Sequence, residues 1–540
     1  MKQLFLLFTL GVAAIAATAQ TNFPYTITLE SRQITGLPGL HSHAFAQTDH
    51  YWLFFGGRKD GIHARQPFNA FPTAQANAHL YVIDHVADTT WQVALGSLPA
   101  SMQEQLSATN FNFYQEGPYL LLTGGYGFSV TANQYTTYPF LLRIHVPVLL
   151  QAVLVNQPIL GAFEQLQDSA FAVTGGQLGK IGEMYYLVGG HKFVGRYNPM
   201  GPSNGPGFVQ QYTNQIRKFE LSAPGTTLAM LNYQVQTDPI HLHRRDYNLV
   251  PQIFPDGTPG YTLSSGVFQH TIDLPYLYPV DIKATGIFPQ TQFLQKLSHY
   301  HSAKTALYDS ASNTMHSLFY GGLAQYYYDG ELLVQDNNVP FVKTISRVTR
   351  EANGQLTEFV QPEQMPVLVG ASAEFIPNLS VPHYANETFK LQAFVNDTTL
   401  LGHIVGGIVS PVLNAFTNNN TGVTSASTQV YAVKLVREPQ STGVKVASKA
   451  TEKTFDFALH PNPTKSAVAV NFELSELLSV HYLLSNAAGA VLEKGRFQDM
   501  EIGENEIKFD LKPHKGNPFL WLTLVFDHKH FVTHKVLLLP

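Results

Sequence analysis

Cysteine is absent from all 540 residues. No disulfide, thiolate-bound zinc, iron–sulfur cluster or cysteine nucleophile can be built from this chain. Charge is sparse too: Asp, Glu, Lys and Arg together make up 13%, and the formal net charge is −5. Nucleic-acid binding draws on dense Lys and Arg to neutralise phosphates, so that class of partner is set aside. Beyond the N-terminus no apolar run is long enough to span a bilayer. What is plentiful is Tyr, Phe, Gly and Pro, at 26, 36, 41 and 32 residues. That mixture reads as short strands separated by many turns, with few long helices. The length exceeds one ordinary domain and predicts two or three, or one large repetitive domain.

The N-terminus carries an address. Lys2 precedes an apolar run from Leu4 to Ile15, and Ala17-Thr18-Ala19 fits a small-x-small cleavage site. Residues 1–19 are expected to be a signal peptide, leaving Gln20 first in a mature, exported protein with no transmembrane span.

A repeat organises most of the remaining chain. His50-Tyr51-Trp52-Leu53-Phe54-Phe55 runs into Gly56-Gly57. The same ending returns at Leu120-Leu121-Leu122-Thr123-Gly124-Gly125, Tyr185-Tyr186-Leu187-Val188-Gly189-Gly190, Ser317-Leu318-Phe319-Tyr320-Gly321-Gly322 and His403-Ile404-Val405-Gly406-Gly407. A degraded copy, Tyr261-Thr262-Leu263-Ser264-Ser265-Gly266, fills the one wide gap. The mean spacing is about 70 residues, which suits a four-stranded supersecondary unit. Each unit places a first strand and a polar turn before the glycines, then a loop and a further strand such as Leu80–Asp84 or Val430–Leu435. Glycine at the strand end permits a sharp turn and close approach of another backbone.

This pattern resembles the kelch repeat from Tyr25 to Arg437, with its tryptophan kept only as Trp91. The resemblance implies an all-β fold, a six-bladed kelch-like β-propeller spanning residues 20–437. Closing such a ring requires Tyr25-Thr26-Ile27-Thr28-Leu29 to join the last blade, because an open edge invites aggregation.

After Arg437 the texture changes. Residues 438–453 are rich in Ser, Thr and Lys without periodicity and read as a linker. Residues 454–540 alternate over several short segments, which predicts a small immunoglobulin-like β-sandwich. Pro461-Asn462-Pro463, Ser485-Asn486-Ala487-Ala488-Gly489, Gly503-Glu504-Asn505-Glu506-Ile507 and the closing run from Lys535 to Leu539 resemble the C-terminal sorting domain of the type IX secretion system. The usual Gly-x-Tyr of that family is here Gly516-Asn517-Pro518-Phe519, and the chain stops on Pro540 without a final Lys. The resemblance implies export from a Bacteroidetes-type bacterium, with the type IX machinery as a partner and a secreted or surface location.

Candidate chemistry is sparse. Gly56-Gly57-Arg58-Lys59-Asp60-Gly61 has the spacing of neither a P-loop nor a dinucleotide loop, and Pro67 and Pro72 follow in place of a helix. Some kelch propellers are copper–radical galactose oxidases, whose tyrosine–cysteine cross-link this chain cannot form. Three units begin with His-x-His: His41-Ser42-His43, His241-Leu242-His243 and His299-Tyr300-His301. On a strand, residues two apart share a face, so repeat-equivalent imidazoles would converge on one axis. A divalent metal at His41, His43, His299 and His301 is one reading. The plainer one has these rings bonding loop carbonyls, and it is preferred because no Asp or Glu recurs beside them; no cofactor is required.

Arg244 and Arg245, with His241, His243 and Asp246, form a cationic cluster suited to a carboxylate, sulfate or acidic sugar, or to pairing between blades. Arg196 and Tyr197 lie on a long loop, 193–211, and with Arg58 complete the candidate ligand-binding set; long loops on rigid scaffolds often bind. The expected role is binding of a glycan or other macromolecule through the blade loops. An extracellular sugar isomerase or hydrolase using the central pocket, and a structural or adhesive surface protein, are the alternatives.

Overall fold

The computed structural model describes residues 23–65, 70–198, 207–330, 332–438, 457–474, 479–486, 491–497, 500–514, 516–526 and 530–539. The expected signal peptide lies outside the described residues, as does the linker beyond Glu438.

Between Tyr25 and Arg437 six antiparallel sheets follow one another, each built on a four-strand meander. The first comprises Ala44–Thr48, Tyr51–Phe55, His79–Asp84 and Thr89–Ala94. The second is Thr109–Glu116, Tyr119–Ser129, Phe140–His145 and Phe163–Gln167. Four strands between Gln177 and Thr237 make the third, and four between Asn248 and Pro289 the fourth. The fifth uses Ala303–Asp309, Thr314–Tyr320, Thr344–Arg350 and Leu356–Gln364. The sixth takes Leu368–Pro377, Thr398–Ser410 and Val430–Arg437, and is completed by Tyr25–Arg32 from the other end of the unit, in register from Tyr25–Arg437 to Arg32–Val430. The edge strand expected from residues 25–29 thus pairs where the sequence predicts.

The second strands read as unbroken apolar runs because both their faces are covered. In Tyr51–Phe55, Leu53 and Phe55 face a core shared with Phe111, Leu120 and Leu122 of the second sheet, while Trp52 and Phe54 face Ile376, Val405 and Val430 of the sixth. Alternation at period two sends successive side chains to opposite neighbours. Further cores join the second sheet to the third, the third to the fourth, the fourth to the fifth and the fifth to the sixth. The outer strands are more exposed, as Met230–Thr237 illustrates.

The glycine pairs have one geometry throughout. Both members of every pair take a left-handed φ, from +50° to +95°, including Ser265 at +62° and Gly266. The second amide then donates to a carbonyl at the start of the next unit: Gly57 to Ala108, Gly125 to Val173, Gly190 to Arg244, Gly322 to Val369, and Gly407 back to Leu40. Where the fourth unit has Ser265 in place of glycine, its hydroxyl donates to Ser298 O at 2.9 Å. A Cβ on Gly124 would fall 1.8 Å from Val173 O, so only glycine allows that approach.

The C-terminal region forms two antiparallel sheets. One holds Ala458–His460, Ala467–Leu474 and Gly503–Asp510; the other holds Val480–Ser485, Val491–Arg496, Phe519–Phe526 and His530–Leu537. Val470, Phe472, Leu484, Leu522 and Leu524 meet in the core between them. The predicted alternation from 467 onward corresponds to these strands; Ala487-Ala488-Gly489 of the sorting-domain motif lies outside the described residues.

Candidate functional site

At the inner end of each first strand, just before it or within its first residues, the backbone turns through a left-handed residue: Ser42, Asn110, Gly175, Asp246, His301 and Ser372, with φ between +42° and +65°. Five of these six amides donate to the carbonyl of the equivalent residue one sheet earlier. Asn110 bonds Ser42 at 3.0 Å, Gly175 bonds Asn110 at 3.2 Å, Asp246 bonds Gly175 at 2.8 Å, Ser372 bonds His301 at 2.6 Å, and Ser42 bonds Ser372 at 3.1 Å. The six positions therefore form a belt of main-chain hydrogen bonds. Asn110 Nδ2 reaches Asp246 Oδ1 at 3.2 Å across Gly175, and His301 Nδ1 lies 3.2 Å from Ser372 Oγ.

The residues preceding the belt bridge to those following the glycine pairs: His41 to Arg58, Arg245 to Val267 and Tyr300 to Leu323. This places Arg245 and Tyr300 on the side of the belt where the long loops gather. The Arg245 guanidinium lies between the rings of Tyr212 and Phe268, at 5.5 and 5.0 Å from their centroids. Its Nη1 donates to the Tyr212 hydroxyl, and its Nε lies 3.4 Å from Asp246 Oδ2. Among the described residues Nη2 has no acceptor, and neither the Tyr197 nor the Tyr300 hydroxyl, both within electrostatic reach of Arg245, has a hydrogen-bond partner. Burial alone would lower the Arg245 pKa, but its surroundings, with the Asp246 carboxylate as the charged neighbour, turn the net shift upward, so the guanidinium stays charged. Burial raises the Tyr197 and Tyr300 phenols, which stay protonated donors.

His63 packs its ring edgewise on Tyr197 at 4.9 Å and on Phe416 at 5.1 Å, bracing the loops. A cationic fork, two hydroxyl donors and aromatic walls are what a carboxylate or sulfate on a sugar requires.

The predicted site residues divide. Tyr197, Arg245 and Asp246 come together here, and of the two neighbouring arginines it is Arg245 that faces Asp246. His243 stands behind the cluster, stacked on Tyr212 at 3.8 Å with Nδ1 2.9 Å from Asn214 Oδ1. Arg244 is fully buried, donating to the carbonyls of His241, Ser265 and Tyr278 beneath the Tyr276 ring; it holds the fourth sheet together. His241 bonds Tyr278 Oη at 3.0 Å. Arg58 is taken up by Asp60 (2.8 and 2.6 Å) and Pro72 O, and Arg196 by Ala70 O at 2.8 Å.

The His-x-His segments do not occupy equivalent positions, and this corrects the strand premise. The belt residue is Ser42 in the first segment, His301 itself in the last, and Asp246, outside the segment, in the second. Left-handed backbone at Ser42 and His301 also breaks the two-residue alternation. His41 faces Asp60 at 3.6 Å, His301 faces Glu374 at 3.8 Å, His43 packs at a tilt against Phe54, and His299 Nδ1 bonds Gly321 O at 2.5 Å. Among the described residues no group of three His, Asp or Glu side chains is arranged to hold a metal ion.

Tyr212, Tyr300 and His63 escape a sequence reading because each is a single residue on a different unit. The one available signal is Tyr300, inside a motif chosen for its histidines.

No family profile matches the chain and no curated protein matches it. Among solved structures, YjhT aligns with a TM-score of 0.38 at 10% identity, over 75% of this chain and 98% of that one. A fungal alcohol oxidase of the AA5 family, in complex with copper, aligns with a TM-score of 0.37 at 8% identity, over 95% of this chain and 99% of its own. At such scores neither similarity bears on what this chain does.

Proposed function

We propose that residues 20–437 form a six-bladed kelch-like propeller that binds an acidic glycan at its loop face, and that residues 454–540 direct its export to the cell exterior by the type IX route. The cyclic order of six cores and six inter-sheet bonds supports the propeller. The observation that carries the binding role is Arg245, whose guanidinium, among the described residues, keeps an unpaired edge between aromatic rings and near two phenols that also lack partners there. A buried cation with unused donors fits a ligand that supplies the acceptors.

Calorimetric titration with uronate-bearing, sulfated and neutral oligosaccharides tests the binding role. Acidic ligands are expected to bind, and Arg245→Lys, which keeps charge but loses the planar fork, should weaken them at least about tenfold. Equal binding of neutral and acidic sugars, or none of either, would sink the reading. For export, a reporter fused to residues 454–540 should reach the medium or surface only in cells with an intact type IX system.

A further inference from the structure

Beyond the belt, on the side away from the loops, the first strands of all six sheets enclose an axial cavity of about 170 Å³. One water needs only about 10–15 Å³ of such space. Lys304, Glu374 and Glu387 line it, between the rings of Phe45, Phe113 and Phe375. Among the described residues, no acceptor lies within ion-pairing distance of the Lys304 ammonium and no donor reaches the Glu387 carboxylate. Among the same residues Glu374 has one ion-pair contact, His301 at 3.8 Å.

Glu387 is held there by a special backbone. It takes a φ of +64°, a conformation costly for a non-glycine residue and kept where the surroundings impose it. Its segment is fastened across the channel by Asn386 Nδ2 to Gln252 O at 3.1 Å, and by Phe389–Lys390 pairing alongside Leu307 and Tyr308. Tyr114, Asn386 and Glu387 also border a wider vestibule of about 880 Å³, which gives the cavity an approach from outside.

We propose that this cavity is a second ligand site, taking a compact neutral polyol the size of one sugar ring, with Lys304, Glu374 and Glu387 as its polar anchors. Carboxylates accept from pairs of hydroxyls, the ammonium donates to hydroxyl or ring oxygens, and aromatic faces cover C–H surfaces. An anionic ligand would meet Glu374, and a cationic one would meet Lys304. The belt separates this site from Arg245, so the two readings fail independently.

The test is calorimetry of the full chain with glucose, galactose, mannose and myo-inositol, and with glycine as a zwitterionic probe. At least one polyol should bind, and Lys304→Met should weaken it at least about tenfold, while Arg245→Lys leaves it unchanged. Should Lys304→Met not fold, Glu374→Gln with a sugar-soaked crystal answers the same question, density for the ring between Lys304 and Glu387 being the supporting result. No heat and no density for any polyol, a preference for glycine, or binding lost only in Arg245→Lys would overturn the proposal.

Discussion

The amide of Gly407 donates to the carbonyl of Leu40 at 2.9 Å, and through this contact the sixth sheet meets the first. Its neighbour Gly406 sits at φ +69°, where a Cβ would fall 2.4 Å from Leu40 O and 2.8 Å from His43 Cε1. Gly406→Ala is therefore expected to cost about 2–4 kcal/mol, combining left-handed strain with a backbone clash. Gly422, with nothing within 4 Å, should accept alanine almost without effect. Urea unfolding of both variants checks the contrast.

Arg350 Nη2 lies 2.6 Å from Asp281 Oδ1, with both side chains almost wholly buried, and links the fifth sheet to the fourth. Arg350→Met leaves the carboxylate buried without its partner and should destabilise by about 3–5 kcal/mol. The double variant Arg350→Met, Asp281→Leu should recover much of that loss, because no charge is stranded. A double-mutant cycle by urea denaturation measures it.

Acid should weaken the fold through its buried imidazoles. Burial brings the pKa of both His43 and His299 down to about 4 from 6.5. Around His43, Glu374 opposes the shift while His41 and His301 reinforce it. Unfolded rings bind protons near pH 6.5 and folded rings only near 4, so the unfolded state gains protons first. The stability held by the neutral rings is complete above 6.5 and is lost as pH falls towards 4, by at most about 3 kcal/mol per ring. Denaturation midpoints across that window should drop with pH, and His299→Asn, which cannot titrate, should flatten the slope.

At the loop face, Tyr300→Phe removes one hydroxyl without changing shape. Acidic-glycan affinity should fall about two- to tenfold, with melting unchanged. His243→Ala removes the ring that backs Tyr212 and should lower affinity less, since it acts only through Tyr212 and Arg245. Titration alongside thermal melts separates the two.

Much of the scaffold was legible because it repeats. The glycine pairs, the buried second strands and the returning strand at Tyr25 each follow from one steric demand imposed six times, and even Ser265-Gly266 keeps the backbone geometry. The site was far less so. Lys304, Glu374 and Glu387 come from two sheets and one crossing segment, and nothing local in their sequence marks them. The His-x-His motif misled because a left-handed residue at Ser42 and His301 cancels the alternation that made the spacing meaningful. Arg244 and Arg245 adjoin in sequence yet part in place: one gives its Nε and Nη1 to carbonyls beneath Tyr276, the other stands between the rings of Tyr212 and Phe268.

The pairing of Tyr25–Arg32 with Val430–Arg437 also imposes an order in time. The first of these strands waits for the second, so the sixth sheet cannot be completed until the chain has been made as far as Arg437 and the two strands meet. Until then the outer edge of Val430–Arg437 has no clasp, and no covalent bridge substitutes for it. The sixth sheet is therefore the last of the six to be completed, and loss of either strand leaves it open.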